Sequence, residues 1–333
     1  MTNKNLVMLV SAAVVLGGAA YFLGNGTKGT APKLNGKTIL PGFNAADVAK
    51  IEIGGKLTLA ADEKGWVVES LYGYPASRDK IAENLLKLAD LKVGQVARGR
   101  KLGAETAVTL KDAAGKAVAE LKLGDTHSRK ATGQAAMYGG GSYPDGRYLA
   151  FEGETVLVKD TLDAFDGDAK KWCDTRIASI SSSDVTAVSY RHGTELVELE
   201  KGTNSTWTLK GLGPKEELDT SKTYSLDSAL SYLDFNTVAD PKLTDAELGF
   251  STGYVYTVTM KEGSNTVVRT ATVGNKVKDG SDRYFKLDDG KWVFAISSYS
   301  AENMMKKRSD LVKAKEEPKK EEPKKEDTKD KPN

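Results

Sequence analysis

Cysteine occurs once in the 333 residues, at Cys173, and histidine twice, at His127 and His192. A single cysteine excludes an intrachain disulfide and any zinc or iron–sulfur site built from cysteines. Two histidines leave little material for a histidine-rich metal centre, so no metal and no cofactor is expected. Proline is scarce, at 9 residues against 33 glycines, which predicts many tight turns. An excess of charge of one sign is also lacking: 48 Lys+Arg against 46 Asp+Glu give a net charge of +2. Phosphate binding needs a basic stripe, so nucleic acid is not an expected partner. A phosphate loop is missing, since the glycines of YGGGSYPDG precede no Gly-Lys-Ser/Thr, and no dinucleotide fingerprint occurs. The length is that of about two domains.

One long apolar run is present. Residues 6–24 read LVMLVSAAVVLGGAAYFLG, 19 residues without a charge. A spanning helix needs about 20. The run, with flanks over 1–30, reads as an N-terminal transmembrane anchor in the lipid bilayer. The competing reading is a cleaved export signal ending near Gly18-Ala19-Ala20, but Tyr21 and Phe22 carry the apolar run past that site. Lys28, Lys33 and Lys37 outnumber Lys4, which counts against export, yet long domains cross membranes largely regardless of charge. The expected location is the bacterial inner membrane, single-pass, with the bulk of the chain on the extracytoplasmic, periplasmic side. The other end, residues 313–333, repeats Glu-Glu-Pro-Lys-Lys and has no apolar face, so it is expected to be disordered.

Between the ends the chain repeats itself. DVAKIEI at Asp47 matches DVTAVSY at Asp184. Trp66 and Trp207 follow as expected core anchors. Amphipathic helices are predicted behind Ser77 (Ile81, Leu85, Leu88) and behind Ser225 (Leu226, Ala229, Leu230, Leu233). Leu102-Gly103 and Leu248-Gly249 come next, then VTLKDAAGKAVAELKLG and VTMKEGSNTVVRTATVG, then Arg147-Tyr148 and Arg283-Tyr284. Hairpin turns are predicted at Lys111 to Gly115, at Glu262 to Ser264, at Glu152-Gly153 and at Asp289-Gly290. The offset is 137 positions from Asp47 to Asp184 and again from Gly153 to Gly290. Closing helices are predicted over 162–172 and 299–312. The expected fold is α+β: two tandem repeats of antiparallel sheet with amphipathic helices, at 38–173 and 184–312.

The opening ILPGFNAADVAKIEI, the GWVVES strand, the LYGYPASRDKIAENLLKLADL segment and the LG…LKLGD…RYLAF…W order resemble the domain-of-unknown-function family 4340. The resemblance covers roughly residues 38–312. It implies a membrane-anchored protein facing the extracytoplasmic side, and an accessory or scaffold role beside ABC-transporter components of the gliding-motility or export type. It supplies no catalytic residues.

Reactive constellations are sparse. A nucleophilic triad needs a base oriented by a third group; His192 sits in an apparent turn and His127 follows a strand. Cys173 reads as a small buried hydrophobe. A carboxylate pair is left open, because one sequence does not say which acids face one another. The repeats differ in one place: Gly124 to Arg147 spans 23 positions and Gly274 to Arg283 spans 9. The extra stretch reads as a long loop holding His127, Arg129, Lys130, Tyr138 and Tyr143. Long loops on rigid scaffolds carry function. Tyr72 and Tyr74, before the first helix, are further candidates, since exposed tyrosine anchors partners or stacks on sugars. No enzymatic activity is expected. The expected function is a scaffold that binds a membrane-protein partner such as a transporter component. The alternatives are an envelope glycan or peptide binding module using these residues, and a hydrolase with carboxylate chemistry.

Overall fold

The computed structural model describes residues 34–137, 141–192, 194–288 and 290–315. The apolar segment 6–24, and with it the anchor reading, lies outside them, as do Tyr138, Asp289 and residues 316–333. Among the described residues no helix is long and apolar enough to cross a membrane.

The protein is α+β and rich in antiparallel sheet. In the first half the strands are β1 (Lys50–Ile53), β2 (Leu57–Asp62), β3 (Gly65–Val68), β4 (Tyr74–Pro75), β5 (Gln95–Val96), β6 (Thr106–Lys111), β7 (Ala117–Lys130), β8 (Ser142–Phe151) and β9 (Glu154–Val158). They form one sheet in the order β4-β3-β2-β1-β6-β7-β8-β9-β5. Strand β10 (Arg176–Ala178) leads into the second half. There follow β11 (Val185–His192), β12 (Glu195–Lys201), β13 (Trp207–Leu209), β14 (Glu216–Leu218), β15 (Leu233–Asp234), β16 (Thr237–Val238), β17 (Tyr254–Glu262), β18 (Asn265–Lys276), β19 (Arg283–Leu287), β20 (Phe294–Ile296) and β21 (Val312–Ala314). The second large sheet runs β13-β12-β11-β17-β18-β19-β20-β16. With the edge strand β4 set aside, the remaining eight strands of the first sheet follow the same order as the eight of the second.

Helix α1 (Arg78–Ala89) follows from local chemistry. The Ser77 hydroxyl accepts from the Lys80 amide at 3.5 Å, an N-cap bond that satisfies an orphan donor of the first turn. Ile81, Leu85 and Leu88 recur on one face and are buried. The chain leaves the sheet at the β4 edge and re-enters at β5, the opposite edge. The connecting helix therefore crosses the sheet face and caps a core of alternating strand residues, among them Ile51, Ile53, Leu59, Val108, Leu110 and Leu149. Each such side chain contributes roughly 1.5–3 kcal/mol by leaving water. The turn at Glu152-Gly153 has φ 48° and 80°, the left-handed pair that a two-residue hairpin requires.

Three helix expectations fail. Residues 162–172 form two short 3-10 turns, Asp163–Asp166 and Ala169–Trp172, because Gly167 sits between them at φ 91°. Residues 299–312 hold only α5 (Ser298–Asn303), a 3-10 turn and β21. The helix behind Ser225 shrinks to the single turn Tyr224–Asp227, here α3, preceding the four-residue α4 (Asp245–Leu248); α2 is Gln134–Met137 in the first half. The Ser228 hydroxyl donates back to the Tyr224 carbonyl. Serine and aspartate compete for backbone groups in this way and weaken helices. The terminal charged segment begins ordered, since β21 pairs with β14. Trp66 and Trp207 are only partly buried; the fully buried indole is Trp172.

The halves share an unusual piece of backbone. Leu123 opposes Leu149 and Thr126 opposes Arg147, so β7 advances three residues while β8 advances two. Val273 opposes Phe285 and Lys276 opposes Arg283, the same bulge. In each bulge a glycine carbonyl accepts from the arginine: Arg147 Nε to Gly124 O at 2.6 Å, and Arg283 Nη1 to Gly274 O at 2.8 Å. Neither glycine tolerates a side chain. A Cβ on Gly124 would lie 2.3 Å from the Leu102 carbonyl oxygen, and one on Gly274 would lie 2.0 Å from that of Leu248. The repeated Leu-Gly and Arg-Tyr pairs thus mark one packing device used twice.

Candidate functional site: the β7–β8 arm

The extra residues of the first half are not a loop. They extend β7 and β8 beyond the bulge as a paired hairpin, with His127 opposite Gly146, Arg129 opposite Tyr143 and Lys130 opposite Ser142. The Ala131 amide still donates to the Gly141 carbonyl at 2.8 Å, and α2 lies near the tip. The loop expectation fails here because SYPDGRY, with a proline and a glycine inside the run, carries no strand pattern although it is the start of β8. Asp145 is instead the extra residue of a second bulge: His127 opposes Gly146, but Ser128 opposes Pro144. A bulge re-aims a side chain, and here it turns the Asp145 carboxylate back across the hairpin.

Asp145 consequently joins two predicted residues. His127 Nδ1 donates to Asp145 Oδ1, and Arg129 Nε lies 2.9 Å from Oδ2. The His127 hydrogen bond, followed by the charge and hydrogen bond of Arg129, holds the Asp145 carboxyl below the usual carboxylate range. The His127 ring stands edge-on to Tyr148, with centroids 5.7 Å apart. The Arg100 guanidinium covers Tyr148 at 3.9 Å and lies 3.8 Å from Asp125. Asp145, Tyr148 and Arg100 had no signal beyond the repeated Arg-Tyr pair. Among the described residues no serine or cysteine hydrogen-bonds His127, and no group of three or more His, Cys, Asp and Glu that could hold a metal occurs. The cluster links β7 to β8 at the root of the arm. Lys130, Tyr143 and Met137 stay exposed along it.

Tyr72 and Tyr74 are elsewhere. Strand β4 is five strand spacings from β7, about 24 Å along the sheet. Tyr74 lies in the seam between the halves. Its ring meets Phe235 at 5.1 Å, Trp292 at 5.2 Å and Phe294 at 5.9 Å, all edge-on, and its hydroxyl donates to the Asp174 carbonyl at 3.3 Å. Burial pushes that hydroxyl up to about 12. Tyr72, at φ 57°, is half exposed; partial burial, then the nearby Asp240 and Tyr284, raise its hydroxyl. Cys173 is buried beside the seam, and burial pushes its thiol up to about 11. The side chain of His192 lies outside the described residues.

Comparison with curated proteins and with solved structures gave no match. A family profile, described as a domain of unknown function, matches residues 66–252. The match begins at Trp66 in β3, takes in α1, the arm and both bulge-facing Leu-Gly pairs, and ends just before β17. It is shorter than the span of roughly 38–312 that the resemblance covers, yet it takes in more than half of the chain and crosses from the first half into the second. The chain belongs to the family DUF4340.

Proposed function

We propose that this protein is a membrane-anchored extracytoplasmic scaffold, built from two tandem α+β repeats, that uses the β7–β8 arm to hold a membrane-protein partner such as a transporter component. The anchor in this reading is the apolar segment 6–24. The duplication is supported by the common strand order, the common bulge and the arginine-to-glycine-carbonyl bond found in each half. The observation that carries the function is the arm itself. One repeat has it and the other lacks it, and the partly exposed His127–Asp145–Arg129 cluster ties its two strands together. A braced projection with exposed Tyr143 and Met137 is the kind of element that gives a partner a preorganised anchor. A photoreactive residue placed at Tyr143 in membranes tests this. Capture of a distinct integral membrane protein, absent when the same residue sits at exposed Val268 of the other repeat, is the expected result. Capture of nothing but the protein itself counts against the reading.

A further inference from the structure

Exposed tyrosines are not spread evenly. Five are exposed among the described residues, and the three most open line one groove in the second half: Tyr232 at 81%, Tyr299 at 75% and Tyr224 at 72%. The groove has a volume of about 490 Å³. Three segments build it: residues 179–182 after β10, residues 224–233 with α3, and α5. The Ile180 amide donates to the Leu230 carbonyl at 3.0 Å and fastens the first wall to the second. On α5, Tyr299 and Asn303 are four residues apart and share a face. Tyr232 is held as well, because the Arg176 guanidinium packs 5.0 Å from its ring centre while pairing with Asp234 at 2.9 Å.

The lining chemistry is selective. Charged residues make up 28% of the chain, yet none lines this groove; six serines and Asn303 do. The Ser231 hydroxyl, closed off from water in the groove wall, has no hydrogen-bond partner among the described residues. We propose that this groove binds a neutral oligosaccharide. Such a ligand offers hydroxyls to neutral donors and acceptors, and apolar C–H faces to flat rings; tyrosine carries both a flat apolar face and a polar tip. An anionic ligand would call for arginine or lysine, which are missing from the lining. A protein partner fits less well. Protein interfaces are depleted in serine and cover about 800 Å² a side, whereas this is a concave site within the size range of small-ligand pockets.

The full-length chain, applied at millimolar ligand concentration to an immobilised panel of neutral gluco-, manno-, galacto- and N-acetylglucosamine oligomers alongside sulfated and uronic-acid glycans, tests the site. Binding to at least one neutral oligomer is expected. Tyr232→Ala and Tyr299→Ala should each weaken it about tenfold, a loss of about 1.4 kcal/mol, with unchanged melting because both rings are exposed. Tyr143→Ala on the arm should leave binding intact, which separates this site from the partner-holding arm. Binding only to charged glycans, no binding, or binding indifferent to both groove variants would overturn the proposal.

Discussion

Trp172→Ala is the substitution whose cost the structure defines best. The indole is fully buried. Its Nε1 donates to the Ala164 carbonyl at 2.9 Å, and its ring stands edge-on to Phe165 with centroids 5.2 Å apart. The Trp172 carbonyl also accepts from the Ser77 amide at 2.7 Å, tying the turn to the start of α1. Truncating a buried Trp costs about 3–5 kcal/mol. The edge-to-face pair adds roughly 0.5–1.5, and the orphaned Ala164 carbonyl adds roughly 1–3. These overlap, since a relaxing cavity admits water to the carbonyl, so the expected loss is about 4–5 kcal/mol. That is a large share of the roughly 5–15 kcal/mol that holds a domain folded. Trp66→Ala removes a ring already partly in water and should cost about 1–2 kcal/mol. Urea unfolding followed by circular dichroism checks both. With a slope near 2–3 kcal/mol per molar, the Trp172 variant should lose roughly 1.3–2.5 M in midpoint. Equal midpoints for the two variants would refute the assignment of Trp172, rather than Trp66, as the core indole.

Gly124→Ala and Gly274→Ala should each destabilise by about 1–3 kcal/mol or more, because the new methyl group meets a backbone carbonyl that has nowhere to go. Alanine at the solvent-facing turn Gly115 meets no neighbouring atom and pays only for its positive φ; a Gly124 variant no less stable than the Gly115 variant in a thermal melt would contradict the bulge packing. Glu216 carries a pH dependence. The Arg308 fork, with the Gly213 amide, holds its carboxyl at about 2, below the ordinary value of about 4.3. A folded-state value that is depressed means stability present above the unfolded value and lost as pH falls through the folded one. The gap in urea midpoint between the parent and Glu216→Gln should therefore be constant above pH about 5 and close between there and pH about 2; a gap that stays constant on acidification would dismiss the role of the pair.

Much of this fold is legible because its signals are local. Ser77 with Ile81, Leu85 and Leu88 marks α1, and Glu152-Gly153 marks a hairpin that needs two positive φ values. The repeated Leu-Gly and Arg-Tyr pairs are visible in order, although the reason for their repetition is not. That reason is a contact between Gly124 in β7 and Leu102 in the connection before β6, 22 positions apart. Competition defeats the other expectations. Apolar spacing around Leu226 and Leu230 suggests a helix, but it ends after one turn, where the Ser228 hydroxyl bonds back to the Tyr224 carbonyl. Gly167 divides 162–172 in the same way. Tyr74 looks available before α1 and is taken up by Phe235, Trp292 and Phe294, rings more than 150 positions away. The arm reads as a loop because the bulge that aims Asp145 at His127 leaves no composition cue. The groove escapes notice because its walls come from three separate segments, and its tyrosines from two of them.

The proposed function requires the arm to be separable from the sheets that carry it. Replacing residues 128–142 with a short turn, so that the hairpin ends as it does in the second repeat, tests it with two readouts on one variant. The expected result is an unchanged urea midpoint together with loss of any membrane protein that a photoreactive residue at Tyr143 captures in the parent. A shortened protein that still co-isolates with that partner, or that loses several kcal/mol of stability, would contradict it.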